Sequence, residues 1–118
     1  MEQSIRCGVD IAKLVFQIHG VNANSGETVM VKKLARHEML RYFANKPPML
    51  IGIEACGGAH YWARELAKLG HTVKLMTPQY VAPYRRGGKN DANDAEAICE
   101  ALARPNMRFV AVKSESQQ

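Results

Sequence analysis

SIRCGVDIAKLVFQIHGVN, Ser4 to Asn22, holds two apolar runs joined by a turn too short for a crossover. SIRCGVDIA reads as a buried strand ending at the acid Asp10, and KLVFQIHGVN reads as its antiparallel neighbour. ANSGE is a turn, and TVMVKKL then alternates Val29, Val31 and Lys33 against Met30 and Lys32. That pattern predicts a third strand completing a meander. From Arg36, RHEMLRYFANK sets Met39, Leu40 and Phe43 at helical spacing until KPP stops it, because proline cannot continue a helix. A crossover helix is expected there.

The order then changes to strand, helix, strand, helix. MLIGIEA is a short apolar run closing on Glu54. AHYWARELAKLGH follows the Gly57-Gly58 turn, with Trp62, Leu66 and Leu69 on one stripe and Gly70 as the C-cap. TVKLM is a further strand, broken at Thr77-Pro78. A last helix begins near Asn90 or Asp91, buries Ala95, Ile98, Ala101 and Leu102, and ends before Pro105. RFVAV fits one more strand or an extended exit.

The chain has 118 residues, enough for one core that buries about two thirds of the unfolded surface. No apolar run approaches a membrane span of ~18 residues, and the N-terminus carries no signal-peptide pattern. A soluble, cytoplasmic domain with no membrane partner is expected. Cys7, Cys56 and Cys99 are widely spaced, odd in number and without a C-x-x-C pair, which argues against disulfides and zinc and for core or near-core roles.

The formal net charge is +5, which favours polyanionic partners. Lys74, Arg85, Arg86 and Lys89 cluster with Tyr80 and Tyr84, and no acid occurs from His71 to Asn90. Such a segment suits phosphate neutralisation with stacking on bases; a solvated loop is the competing reading. Among the acids, Asp10 and Glu54 stand at the ends of the first and fourth strands. If those strands are parallel neighbours, both carboxylates emerge at one sheet edge, where ligands bind in open α/β sheets. Asp91 and Asp94, at i and i+3, share a helix face and would close the site from above. Each acid also has a plainer role: Asp10 a turn, Glu54 a helix cap, and Asp91 with Asp94 a cap and a first-turn acid. Oxygen ligands of this kind suit Mg²⁺ or Mn²⁺.

GVDIAK (Gly8–Lys13), GIEACGGAHYWARELAKLGH (Gly52–His71) and GGKNDANDAEAI (Gly87–Ile98) together resemble the N-terminal domain of the DEDD-type insertion-sequence transposases, the family that includes the Piv DNA invertase. The resemblance spans about Ile5 to Val112. It implies a RuvC-like ribonuclease H fold of α/β class, with a mixed five-stranded sheet of three antiparallel then parallel strands flanked by helices. It also implies metal-dependent DNA phosphoryl transfer in transposition or inversion, with Asp10, Glu54, Asp91 and Asp94 holding two Mg²⁺ or Mn²⁺ ions. The implied partners are DNA, a structured bridge RNA, a further copy of the chain and a C-terminal domain bearing a serine. On this reading residues 1–112 form the catalytic domain and 113–118 a linker stub, since nothing around Ser114 or Ser116 supplies a base or an oxyanion donor.

Competing readings are a non-catalytic nucleic-acid-binding or dimerisation module, and a sugar-kinase-like or actin-like ATPase in which Lys13 meets a phosphate. The ATPase would need a second phosphate loop that the sequence lacks. A nucleophilic Cys56 is a minor alternative to a turn residue. His60 and His71 are expected at the surface or an interface, and Trp62 in the core.

Overall fold

A computed structural model describes residues 4–12, 14–87 and 90–117; Lys13 and Lys89 fall outside these, as does the side chain of Asp91. The strands are β1 (Ile5–Asp10), β2 (Val15–Asn22), β3 (Thr28–Ala35), β4 (Leu50–Glu54) and β5 (Thr72–Met76). The helices are α1 (Met39–Ala44), α2 (Ala59–Lys68), α3 (Pro78–Val81) and α4 (Asp91–Leu102). One sheet runs in the order β3-β2-β1-β4-β5, the first three strands antiparallel and β1, β4 and β5 parallel. RFVAV is an extended exit that touches β5 through a single antiparallel bridge, Val110 to Leu75.

Alternation along the strands sends side chains to two layers. Cys7, Val9, Phe16, Ile18, Ile51 and Ile53 meet Met39 and Phe43 of α1 and Ala59, Trp62 and Leu66 of α2. On the opposite face Met76 and Val81 meet Ala97, Ile98, Ala101 and Leu102 of α4. The expected buried face of α4 is therefore correct, and Trp62 is in the core. In β3 the inward residues are Met30 and Leu34, while Val29 and Val31 stand 52% and 65% exposed at the sheet edge. Leu69 marks the exposed limit of the α2 stripe. No helix among the described residues is long and apolar enough to cross a membrane.

Helix α2 ends as its glycine predicts. Gly70 has φ +101°, its N–H donates to Ala67 O at 3.0 Å, and the His71 N–H donates to Leu66 O at 3.3 Å. That pair of bonds is a Schellman motif, satisfying carbonyls that the helix end would leave open.

Both histidines correct the expectation of surface positions. His71 is 4% exposed; its Nδ1 accepts from the Met49 N–H at 3.2 Å and its Nε2 donates to Phe43 O at 2.8 Å. It links the end of α1 to the start of β4 by satisfying two backbone groups between elements, a need that sequence periodicity does not register. His60 is buried because the exit segment crosses it: its Nδ1 accepts from the Lys113 N–H at 3.0 Å, and Arg64 donates to Lys113 O. Cys56 also departs from a near-core position and is exposed in the β4–α2 turn, whereas Cys7 and Cys99 are buried. Burial pushes the Cys7 thiol well up, with the Cys99 thiol adding to the effect. A thiol so disfavoured as thiolate is chemically inert.

One contact sets the distance between α4 and the sheet. A Cβ at Gly8 would lie 2.2 Å from Ala95 O and 2.5 Å from Cys99 N, both helix backbone. At Gly52 it would lie 2.7 Å from Leu102 Cγ, a side chain able to shift. Gly8→Ala is therefore expected to cost about 3 kcal/mol and Gly52→Ala about 1 kcal/mol in denaturant melts. Equal costs would mean that α4 can move off β1 freely.

Candidate functional site

The β1–β4 ladder pairs Gly8 with Gly52 and Val9 with Ile53 in parallel, so its next step sets Asp10 beside Glu54. Side chains alternate along a strand, so Asp10 shares the face of Gly8, and Glu54 that of Gly52. That is the face covered by α4. Ala95 lies on Gly8, which puts the first turn of α4, with Asp94, over the carboxyl ends of β1 and β4. Topology, rather than any local feature, brings residues 10, 54 and 94 to one edge.

One of the plainer roles, the N-cap of α4, is taken by another residue. Asn90 is the N-cap of α4, its side chain accepting from the Asn93 N–H at 2.9 Å. This places Asp91 and Asp94 in the first turn without either being the cap. The N-cap of α2 is Gly58, which has no side chain to cap with.

Arg85 joins the carboxylates. Its Nε donates to Asp94 Oδ1, and a terminal guanidinium nitrogen lies 3.8 Å from Glu54 Oε2. These side chains are largely withdrawn from solvent, with exposures of 21% for Arg85, 25% for Glu54 and 13% for Asp94. The Asp94 hydrogen bond raises the Arg85 pKa, burial opposes it, and the charges of Asp94, Glu54 and Asp10 add to the rise. In this arrangement no three His, Cys, Asp or Glu side chains among the described residues stand together as a metal-holding group. The donor set is nonetheless all carboxylate oxygen, fitting a hard divalent cation, and a guanidinium among the carboxylates shows that this position draws positive charge. The fourth acid, Asp91, belongs to the same helical turn, but its side chain is outside the described set.

Arg85 and Arg86 lie outside any helix or strand, but the residues just before them are helical: α3 continues into a 3₁₀ turn over Ala82–Tyr84. Pro78 at the start of α3 accounts for this, since its fixed φ suits a first helical turn. The expected contact residues divide. Arg86 is exposed and borders a polar cavity of about 250 Å³ shared with Arg6, His19, Glu96 and Glu100. Tyr84 is half-buried against α4 beneath the Arg104 guanidinium, 5.6 Å from its ring centre. Lys74 lies over the Phe109 ring at 5.5 Å, and Tyr80 is half-buried in α3. Arg85 faces the acids, and Lys89 is not described. Sequence reasoning found Arg85 as a basic residue but not its pairing; its only signal was a position just before the acidic turn.

Among solved structures, Thermus RuvC in complex with a Holliday junction substrate superposes with a TM-score of 0.61, covering 86% of this chain and 93% of that one at 10% identity. The chain thus has the RuvC-like ribonuclease H fold. The family model of the IS110-type DEDD transposases, described as transposase, matches residues 7–118, and the chain belongs to that family. It is 55% identical over 118 residues to the y4pF/y4sB transposase sequence of Sinorhizobium fredii, covering 100% of this chain and 30% of that protein. It is 44% identical over 111 residues to the transposase for insertion sequence element IS1328 of Yersinia enterocolitica, covering 94% of this chain and 33% of that protein. The chain thus spans about a third of the length of these curated relatives.

Asn90→Ala is expected to lower stability by about 1 kcal/mol, while Asn90→Ser keeps most of it, because serine also caps. Thermal melts of the two variants decide this. An unaffected alanine variant would return the capping role to one of the aspartates.

Proposed function

We propose that this chain is the metal-dependent catalytic domain of a DNA transposase, in which Asp10, Glu54, Asp91 and Asp94 hold two Mg²⁺ or Mn²⁺ ions. The reading is carried by one observation: parallel neighbours β1 and β4 end in Asp10 and Glu54, directly beneath the α4 turn that bears Asp94. When bound, the ions supply Lewis-acid stabilisation to the attacking and leaving oxygens of an in-line phosphoryl transfer. The chain's own part is to fix the carboxylates. Asp10 and Glu54 project from central strands of the sheet, and Asp94 from a helix that backbone contact at Gly8 holds in place. Sites on rigid elements keep their geometry better than sites on loops.

The substrate class follows from charge and kinship. The structurally similar RuvC was solved with a DNA junction, and Arg86, next in sequence to the arginine that faces the acids, offers an exposed guanidinium. We read this edge as the path of a phosphodiester backbone, with DNA as the substrate. A bridge RNA, a second copy and a C-terminal serine domain are further partners on this reading.

Mn²⁺ at about 100 times its Kd is expected to stabilise the chain by about 2.7 kcal/mol, roughly 10 °C in Tm at this size, with Asp10→Asn losing most of that shift. An intact metal response in Asp10→Asn would remove Asp10 from the site. On a short DNA duplex without metal, Arg86→Ala is expected to reduce the slope of log affinity against log salt by about one unit. Arg85→Ala should leave the slope nearly unchanged, because that guanidinium is committed to Asp94 and Glu54. The opposite ranking in binding titrations would place Arg85 on the phosphate path in the metal-free state.

A further inference from the structure

We propose that Arg85 is a built-in counter-cation of the carboxylate site, displaced when divalent metal enters and then free to contact nucleic-acid phosphate. The inference rests on the metal-site reading above and deepens it. The guanidinium bonds Asp94 and reaches Glu54 at 3.8 Å, so one side chain bridges acids from a helix and a strand. Asp10 adds to the field that holds it.

The acids need some cation at this edge. Carboxylates drawn together and partly withdrawn from water repel one another, and a positive group among them relieves this. Arg85 supplies a single charge and binds through planar N–H donors, whereas a divalent ion brings twice the charge and binds carboxylate oxygen directly. Both use the same oxygens on Glu54 and Asp94, so occupancy by one opposes occupancy by the other.

The backbone allows the exchange. Arg85 follows the 3₁₀ turn, its N–H bonded to Ala82 O at 3.1 Å, and its own φ and ψ are extended at −67° and 137°. The anchor holds the main chain, so the exchange needs only a change of side-chain rotamer. Arg86, next in sequence, is exposed on the proposed phosphate path. Displacement of Arg85 would therefore add a second guanidinium beside the first. Metal and nucleic acid then strengthen each other's binding, and linkage makes that effect reciprocal.

The test titrates Mn²⁺ into the chain, Arg85→Gln and Arg85→Lys by calorimetry. Removing the competing cation should tighten Mn²⁺ binding about tenfold in Arg85→Gln, with Arg85→Lys between it and the parent. In parallel, the Arg85 Nε–H resonance of the parent, followed by ¹H–¹⁵N spectra during a Mg²⁺ titration, should lose its exchange protection with the midpoint of metal binding. This second measurement needs no variant and stands even if Arg85→Gln folds poorly. Equal or weaker Mn²⁺ binding by a folded Arg85→Gln, or a resonance unmoved while Mg²⁺ binds, overturns the exchange and leaves the metal site intact. Failure of both parent and Arg85→Gln to bind Mn²⁺ overturns the metal site itself, and the exchange with it.

Discussion

The close approach of α4 to β1 governs this molecule. Gly8 has no Cβ, and the space a Cβ would fill is occupied by the helix carbonyl of Ala95 and the amide of Cys99. Backbone against backbone leaves little freedom in height or register. Once Ala95 is seated on Gly8, Asp94 must lie over the carboxyl ends of β1 and β4. The same seating is reinforced at the other end of the helix, where Leu102 fills the space above Gly52, and along its side, where Arg6 Nε donates to Cys99 O at 3.0 Å and Cys99 Sγ to Arg6 O at 3.3 Å.

The two faces of the sheet meet different demands. The α1–α2 face is filled by large side chains, including Phe16, Phe43 and Trp62, with Phe16 and Trp62 edge-to-face at 5.2 Å. Such a layer is thick, and its stability comes from apolar area removed from water. The α4 face is thin by comparison, with Ala95, Ala97 and Ala101 buried among the helix residues. Small residues there give up apolar area for proximity, which puts carboxylates from a helix within range of those from strands. Large apolar side chains are thus concentrated on one face and the acids on the other.

Much of this could be read from the sequence because it depends on local pattern. Apolar runs located the first two strands and period-two alternation the third, helical spacing picked out Ala95, Ile98, Ala101 and Leu102, and Gly70 announced the end of α2. The acids were found because a strand ending in a carboxylate is visible as such, and resemblance to known motifs fixed their order. What was missed depends on distant partners. His71 is buried because Met49 and Phe43 need hydrogen bonds, and His60 because Lys113 crosses it. Cys56 is small enough for a core yet lies in a turn, since the strand has already ended at Glu54. Pro78 was read as a strand breaker, but it also starts a helix, and only the second role explains the ordered segment before Arg85.

Arg85 is the sharpest case, because its surroundings in sequence and in space have opposite sign. Its neighbours along the chain are basic, and no acid occurs between His71 and Asn90. In space it lies among the carboxylates of Glu54 and Asp94, thirty-one residues before it and nine after. A run of positive charge in a sequence therefore does not define one surface. Because the segment carrying it ends against α4, its first arginine turns inward to the acids and its second stays outside. The net charge of +5 is spread over both roles. A guanidinium paired with the protein's own carboxylates offers less charge to the surface than its place in a basic run suggests, so the charge this segment presents depends on the acids beneath it.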